Sequence, residues 1–512
     1  MPPLCTCAAT VPAPKPARRR SARCRSARWG LGLWGALLVV AVCWPFFLPG
    51  EMVWRDMVLL HNPGFTASNF GLGSLPARNA PQDGALTLLG GDWFARVLVT
   101  ASASASAYFA AKWARTSLSA AAAMACAVAN PFIVERLLLG HWSLAIAGWL
   151  APVLAWACLH KRAIPAWLSL WASSLTPTGG VFGVIIALVT GRFKLAAGGV
   201  ALCLPWLVPA ITNNTVPGPA AAQVAAFAPR AEAGVGTVGA LLGLGGIWSA
   251  DAVPDSRHHG FALAGLVVAA VALLGARRLA PACRRPLLLL AAVGLGSALI
   301  SWACPGALAW LIETVPGAGL LRDASKLTLL ALPLYVAGIG ALPNLPAALA
   351  LLACLLQAPD TPRELAVLTP RPSGIDHQLV EELDGRLALF PQRPSLVTLS
   401  DGTTAVDPYS KAVNKLESGE LRVDGVVVDQ AQPAYRAALQ AWQDQGLDKL
   451  AQLGVGAVVV DGRIVAEPPA PAPKVPWALT AAWVASPLAC LVLWLLVRPG
   501  LLATRRRTSG LR

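Results

Sequence analysis

From residue 29 to residue 48 the chain runs for twenty residues without a charged side chain. A helix of that length rises about 30 Å, the thickness of a bilayer's hydrocarbon core. Comparable runs recur at 118–134, 144–159, 195–211, 260–274, 287–303 and 477–497, and another, interrupted only by Arg96, at 93–111. Two further stretches, "AIPAWLSLWASSLTPTGGVFGVIIALVT" and "LTLLALPLYVAGIGALPNLPAALALLACLL", are broken in the middle by Pro and Gly. Each reads as two short helices or a re-entrant hairpin, and both readings preserve the sidedness of the later segments. Only 13% of the residues are charged and the mean hydropathy is +0.58, against roughly 25% charged residues in a soluble domain. The fold class predicted is a polytopic α-helical membrane protein of about 12 transmembrane helices.

Charge sorting assigns the sides. Lys and Arg in short loops are retained in the cytoplasm. The segments expected inside carry 22 of the 41 basic residues, from Lys15 and the Arg run before the first span to the Arg cluster after the last. None of the 26 acidic residues falls there, so the inside carries +22, the outside −7 and the whole +15. Membrane orientation thus accounts for the basic balance, and no nucleic-acid partner is expected. The first span follows "KPARRRSARCRSARWG", and where a signal peptide would be cleaved the chain reads "WPFFLPGEMVW". An uncleaved signal-anchor is predicted, with both termini cytoplasmic. The eleven cysteines are scattered, several inside spans, and form neither a disulfide framework nor a zinc pattern.

These signals divide the chain into a cytoplasmic basic tail at 1–28, a transmembrane core at 29–357 and outer loops at 49–92 and 212–259. An extracytoplasmic segment comes next at 358–473, then a last span with a basic tail at 474–512. In the late segment "LAVLTP", "LALFP", "SLVTLS" and "VGAVVVDG" read as strands, and "AQPAYRAALQAWQDQGLDKLAQLG" as an amphipathic helix closing on Gly454. A small α/β domain is expected.

The first outer loop packs Glu51, Asp56, Asp83 and Asp92 directly beyond the first span. A coupled transporter would place its ionisable residues near the bilayer midplane, whereas these acids gather at the edges of the spans. The six His are dispersed and no DxD occurs in this loop, so no metal ligand set is assigned. A transferase using a lipid-bound donor needs an acid at the membrane surface as base toward a hydroxyl, and cations for a phosphate leaving group. Asp56 supplies the first. "GLLRDASKL" supplies the second, with Arg322 and Lys326 four residues apart and on one face if the stretch is helical. Glu135, Arg136 and His141 in "NPFIVERLLLGHW", with Asp83, are candidate substrate contacts. Each has a competing structural reading: Asp56 as partner of Arg55, Asp323 as partner of Arg322, His141 as an interfacial anchor, Arg78 and Asp83 as braces of a Pro-rich loop.

The long acidic first loop, the paired outer loops, about a dozen spans and a late extracytoplasmic domain resemble the GT-C superfamily of polyprenyl-phosphate-sugar-dependent glycosyltransferases. More narrowly, "RDMVLLHNP", "LPARNAPQDG", "NPFIVERLLLGHW", "LLRDASK" and "LGVGAVVVDG" resemble an actinobacterial group of multi-pass membrane proteins of that type. The resemblance implies a transferase at the outer face of a bacterial plasma membrane, acting in envelope glycan or glycolipid assembly. It would need no cofactor, a lipid-linked sugar serving as donor substrate. A non-catalytic scaffold or a transporter of lipid-linked intermediates is the alternative, since this sequence lacks the paired acids of metal-dependent members.

Overall fold

The computed structural model describes residues 17–213 and 216–497. The predicted basic tails lie partly outside it, at 1–16 and 498–512. Among the described residues five helices are long and apolar enough to cross a bilayer: Arg28–Phe47, Ser117–Leu138, Trp142–Leu159, Pro281–Ala303 and Asn344–Leu368. Phe193–Leu202 and Leu204–Thr212, bent by 54° at Cys203, make a sixth if they form one span. The chain is a multi-pass helical membrane protein. The remaining apolar runs are helical as well, as Asp92–Ala111, Ala163–Ser173, Pro177–Val189, Ala262–Ala276, Leu332–Gly340 and Trp477–Val497. Both stretches broken by Pro and Gly are pairs of helices. Ala163–Ser173, with 11 residues, reaches only about half of a 30 Å core.

Trp142–Leu159 is apolar on every side, so it has no face to offer water and sits at the centre of the bundle. The Ala-rich Ser117–Val128 lies close by, with Ala122, Ala123 and Ala125 wholly buried, because small side chains let helix backbones approach. Trp149 donates its indole N–H to the Val128 carbonyl at 3.1 Å, which satisfies the one polar atom of a large buried ring.

The late domain carries a four-stranded sheet in the order Arg463–Ala466, Val455–Val460, Leu387–Leu389, Asn414–Lys415. The last three run parallel. Val455–Val460 is buried along most of its length, as an apolar run between two covered faces must be. Pro433–Gln443 and Leu447–Gln452 cover one face through Tyr435, Ala438, Ala441 and Leu450. The single helix expected here is broken at Gln445, which takes a left-handed φ of +56°. "LAVL" is not a strand: it is a tight turn, Leu365–Leu368, between Pro362 and Pro370, and Leu365 and Leu368 are buried against the helix bundle.

The other face of the sheet is completed by the first loop. "EMVWRDMVLL", which carries no strand signal of its own, forms the hairpin Met52–Trp54 with Met57–Leu59. Successive strand residues point to opposite faces. Met52, Met57 and Leu59 therefore enter the core of the bundle, while Val53, Val58 and Leu60 enter the core of the late domain. The hairpin is a wedge shared by both.

The two outer loops and the late segment pack together in one polar layer. Arg55 N–H bonds Thr404 of the late domain and its guanidinium reaches Ser249 and Asp251 of the long loop. Gln432 bonds Val216, and Asp360 caps Ser256. At the other end, Arg115 bonds the carbonyls of Arg278 and Gly340.

Candidate active site

Three of the four clustered carboxylates hold the first loop in place. Asp92 accepts from buried Arg96 at 2.8 Å and from His61 at 2.8 Å. Arg96 then donates to the carbonyls of Phe46, Leu48 and Gly50, where the chain leaves its first helix. Glu51 accepts from the His61 backbone N–H at 3.0 Å. Asp83 is buried and bound by Lys411 Nζ at 2.5 Å, which ties the loop to the late domain.

Asp56 is the fourth, and the fold presents it differently. It follows Arg55 in the two-residue turn of the hairpin, and Arg55 takes a left-handed φ of +49° that a side chain-bearing residue seldom adopts. The surroundings over-determine that strain. The Arg55 N–H and C=O bond Thr404 and Val406 at 3.2 and 2.8 Å, and its guanidinium is held by Ser249 at 3.1 Å. Arg55 also pairs with Asp251 at 3.4 Å, so it is not the partner of Asp56.

Below the turn lies Gly140, at the end of the helix Pro131–Leu138. Its φ is +87°, and a Cβ there would stand 2.6–2.9 Å from Met57 N, Trp54 O and Asp56 N. Only glycine lets the hairpin sit so low. Its seat brings Asp56 Oδ2 to 2.8 Å from Nε2 of His141, the next residue. The carboxylate is half-exposed, with 48% of its side-chain surface open.

An ionised carboxylate only accepts, so Nε2 carries the proton, and Nδ1 is buried without a partner among the described residues. Enclosure pushes the Asp56 carboxyl up, but the hydrogen bond and charge of His141, with Lys326 and Arg78, more than reverse it and leave it below the usual carboxylate range. Burial pushes the His141 imidazole down, and Asp56 only partly opposes this. At neutral pH the pair is a carboxylate beside a neutral imidazole.

Cations surround this pair. Lys326 and Arg78 act directly on Asp56. Arg322 donates from Nη1 to both carboxylate oxygens of Asp429 at 2.9 and 3.1 Å and lies over the Phe227 ring at 4.1 Å. Arg78 reaches the same Asp429 at 3.5 Å. Asp323 pairs with Arg136 at 2.7 Å and Lys326 at 3.7 Å, not with Arg322. Arg322 and Lys326 do not share a helix face, because the backbone is split into Ala318–Leu321 and Ala324–Ala331, with Arg322 at the break and Lys326 inside the second element. Their charges converge by tertiary packing. Arg78, Arg136, Arg322 and Lys326 outnumber Asp323 and Asp429 by two before Asp56 is counted.

Glu135 lies deeper. It is buried, accepts from the Ile247 N–H at 3.2 Å and shares Arg257 with Glu232, at 3.8 and 2.6 Å. Asp56, His141 and Lys326, with Arg322 linked to them through Arg78, thus form one cluster. Arg136 supports it from below, Glu135 belongs to a separate buried network, and Asp83 is engaged with Lys411. Asp429, Phe227, Glu232 and Arg257 carried no signal in the sequence, since each meets its side-chain partners across 25 or more positions.

Neither a family model nor a curated protein matches the chain. Among solved structures it is similar to the cryo-EM structure of the arabinofuranosyltransferase AftD from Mycobacteria, with a TM-score of 0.53 and 17% identity over 90% of this chain and 37% of that one. A mutant form of the same enzyme matches at a TM-score of 0.48, with 17% identity over 84% of this chain and 36% of that one. The chain spans little more than a third of that enzyme's length, and the likeness is one of fold. The membrane fold of this protein is similar to that of the part of the enzyme it covers.

Proposed function

We propose that the protein is a glycosyltransferase of the cell envelope that draws a sugar from a polyprenyl-phosphate donor at the outer face of the plasma membrane. Under this reading about twelve crossings leave the polar layer and the late domain outside, in keeping with the one-sided acids. The observation that carries the proposal is the Asp56–His141 pair, a half-exposed carboxylate ringed by an excess of positive charge. The acceptor hydroxyl oxygen forms a bond to the anomeric carbon and its proton passes to Asp56. The bond from that carbon to the donor phosphate breaks, and the lipid phosphate leaves with the electron pair. Lys326, Arg78 and Arg322 hold the charge that develops there, as cations do for phosphoryl leaving groups. His141 keeps the carboxylate aimed and ionised.

The test compares a deletion strain with strains complemented by the wild type and by Asp56→Asn. Loss of one envelope glycan with build-up of its lipid-linked sugar is expected in the deletion and in Asp56→Asn. Full complementation by Asp56→Asn would sink the catalytic reading in favour of a scaffold or a transporter of lipid-linked intermediates.

A further inference from the structure

The first loop and the late domain also meet along a groove that the Asp56 cluster does not use. Two adjoining cavities of about 290 and 300 Å³ share Asn62, Val380 and Ala412 as walls, at the lower end of the roughly 300–1,000 Å³ of small-ligand sites. The floor is built from backbone. Gly64 N–H donates to the Lys411 carbonyl at 2.8 Å, and a Cβ on Gly64 would lie 2.0 Å from the Ala412 oxygen. Buried Asn69 donates to both the Gly64 and Lys411 carbonyls, at 2.8 and 3.0 Å, and stitches the two walls together. The groove is therefore preformed.

The chemistry of its walls is narrow. Glu51, Glu381 and Asp384 bring carboxylates, none in an ion pair among the described residues, and Asn62 adds an amide. The Phe65 ring stands 52% exposed, braced edge-on by Phe70 at 4.9 Å. The His61 imidazole is held through Nδ1 by Asp92 at 2.8 Å, with 56% of its side chain open. No Lys or Arg lines either cavity. Such walls repel phosphates and carboxylates, accept hydrogen bonds from hydroxyls and offer one apolar ring face. Among the described residues no three His, Cys, Asp or Glu side chains are grouped to hold a metal ion.

From this lining we infer that the groove binds a neutral saccharide chain. Its identification with the acceptor of transfer rests on the transferase reading; the binding itself does not.

The experiment uses the purified full chain in detergent and follows saturable binding of maltotetraose, mannotetraose and xylotetraose by ligand-observed NMR, with tetragalacturonate as the anionic comparison. Binding of at least one neutral probe is expected, weakened at least about tenfold, or 1.4 kcal/mol, in Phe65→Ala and in the double variant Glu381→Gln, Asp384→Asn. These positions are exposed, so both variants keep the core. Asp56→Asn should bind as the wild type does. Failure of all three neutral probes, unchanged binding in both groove variants, tighter binding of tetragalacturonate, or binding abolished by EDTA would each overturn the proposal. If the groove variants lose binding while Asp56→Asn retains transfer, the groove stands and the catalytic reading falls.

Discussion

At the scale of single residues, Asp56 is set apart from its neighbours by what it lacks. Glu51, Asp83 and Asp92 are committed to bonds that hold the loop, whereas Asp56 keeps one face open and one neutral partner. A carboxylate base contributes about 10²- to 10⁴-fold, so Asp56→Asn should lower transfer by that factor with normal expression and insertion, measured in membranes with lipid-linked donor. The pH dependence comes from the directions of shift. Asp56 sits below the ordinary carboxylate value of about 3.9 and His141 below about 6.5. The functional state, carboxylate with neutral imidazole, is complete above both values and is lost as pH falls, first through the His141 step. The rate should be level only around pH 6.5–7, with its acid limb lower and a basic limb through Lys326, whose ammonium burial brings down to about 8; an acid midpoint above 6.5 in a rate profile excludes the Asp56–His141 pair as the base. Gly140 supplies a steric check. Gly140→Ala meets both the positive φ and three backbone atoms, so it should cost about 1–3 kcal/mol and most of the transfer rate. Gly90→Ala, at φ +95° with nothing within 4 Å, should lower the thermal midpoint while leaving the rate near that of the wild type.

At the scale of elements, the hairpin couples two cores, and its alternation makes that coupling testable. Val58 enters the late domain and Leu59 the bundle. Truncating Val58 to Ala removes about 2 kcal/mol of burial and packing from the first interface. Limited proteolysis should therefore cut residues 359–473 at lower protease concentration in Val58→Ala, while Leu59→Ala leaves that sensitivity at the wild-type level. Equal sensitivity in the two variants would contradict the wedge. The sequence hid this hairpin because strand periodicity is legible when one face is apolar and the other polar; here both faces are buried, and "MVWRDMVL" shows only a turn between two short apolar runs. The late sheet was legible at Leu387–Leu389 and Val455–Val460, whose apolar runs are bounded by turn residues. "LAVLTP" misled because a short apolar run carries no period and its flanking prolines suit a tight turn equally well.

At the scale of the whole molecule, the proposed topology predicts that a membrane-impermeant maleimide on intact cells labels Asp384→Cys above the native-cysteine background and labels Lys161→Cys only after lysis. The reverse pattern would put the polar layer in the cytoplasm and remove the transferase reading with it. The sequence by itself determined the membrane-embedded helical class, the positions of the apolar helices and the sorting of acids from bases, because hydrocarbon thickness and charge transfer cost act on local composition. It also pointed to Asp56 by its place just beyond an apolar run, and to Arg322 and Lys326 by theirs just before one. The tertiary structure alone decided which carboxylate stays open and which cations face it. Those outcomes depend on Gly140 admitting the hairpin, on Asp429 and Phe227 receiving Arg322, and on Lys411 and Arg96 claiming Asp83 and Asp92. Apart from the Asp92–Arg96 pair, every one of these contacts joins residues far apart in the chain, and no local pattern encodes which distant partner a charge will meet.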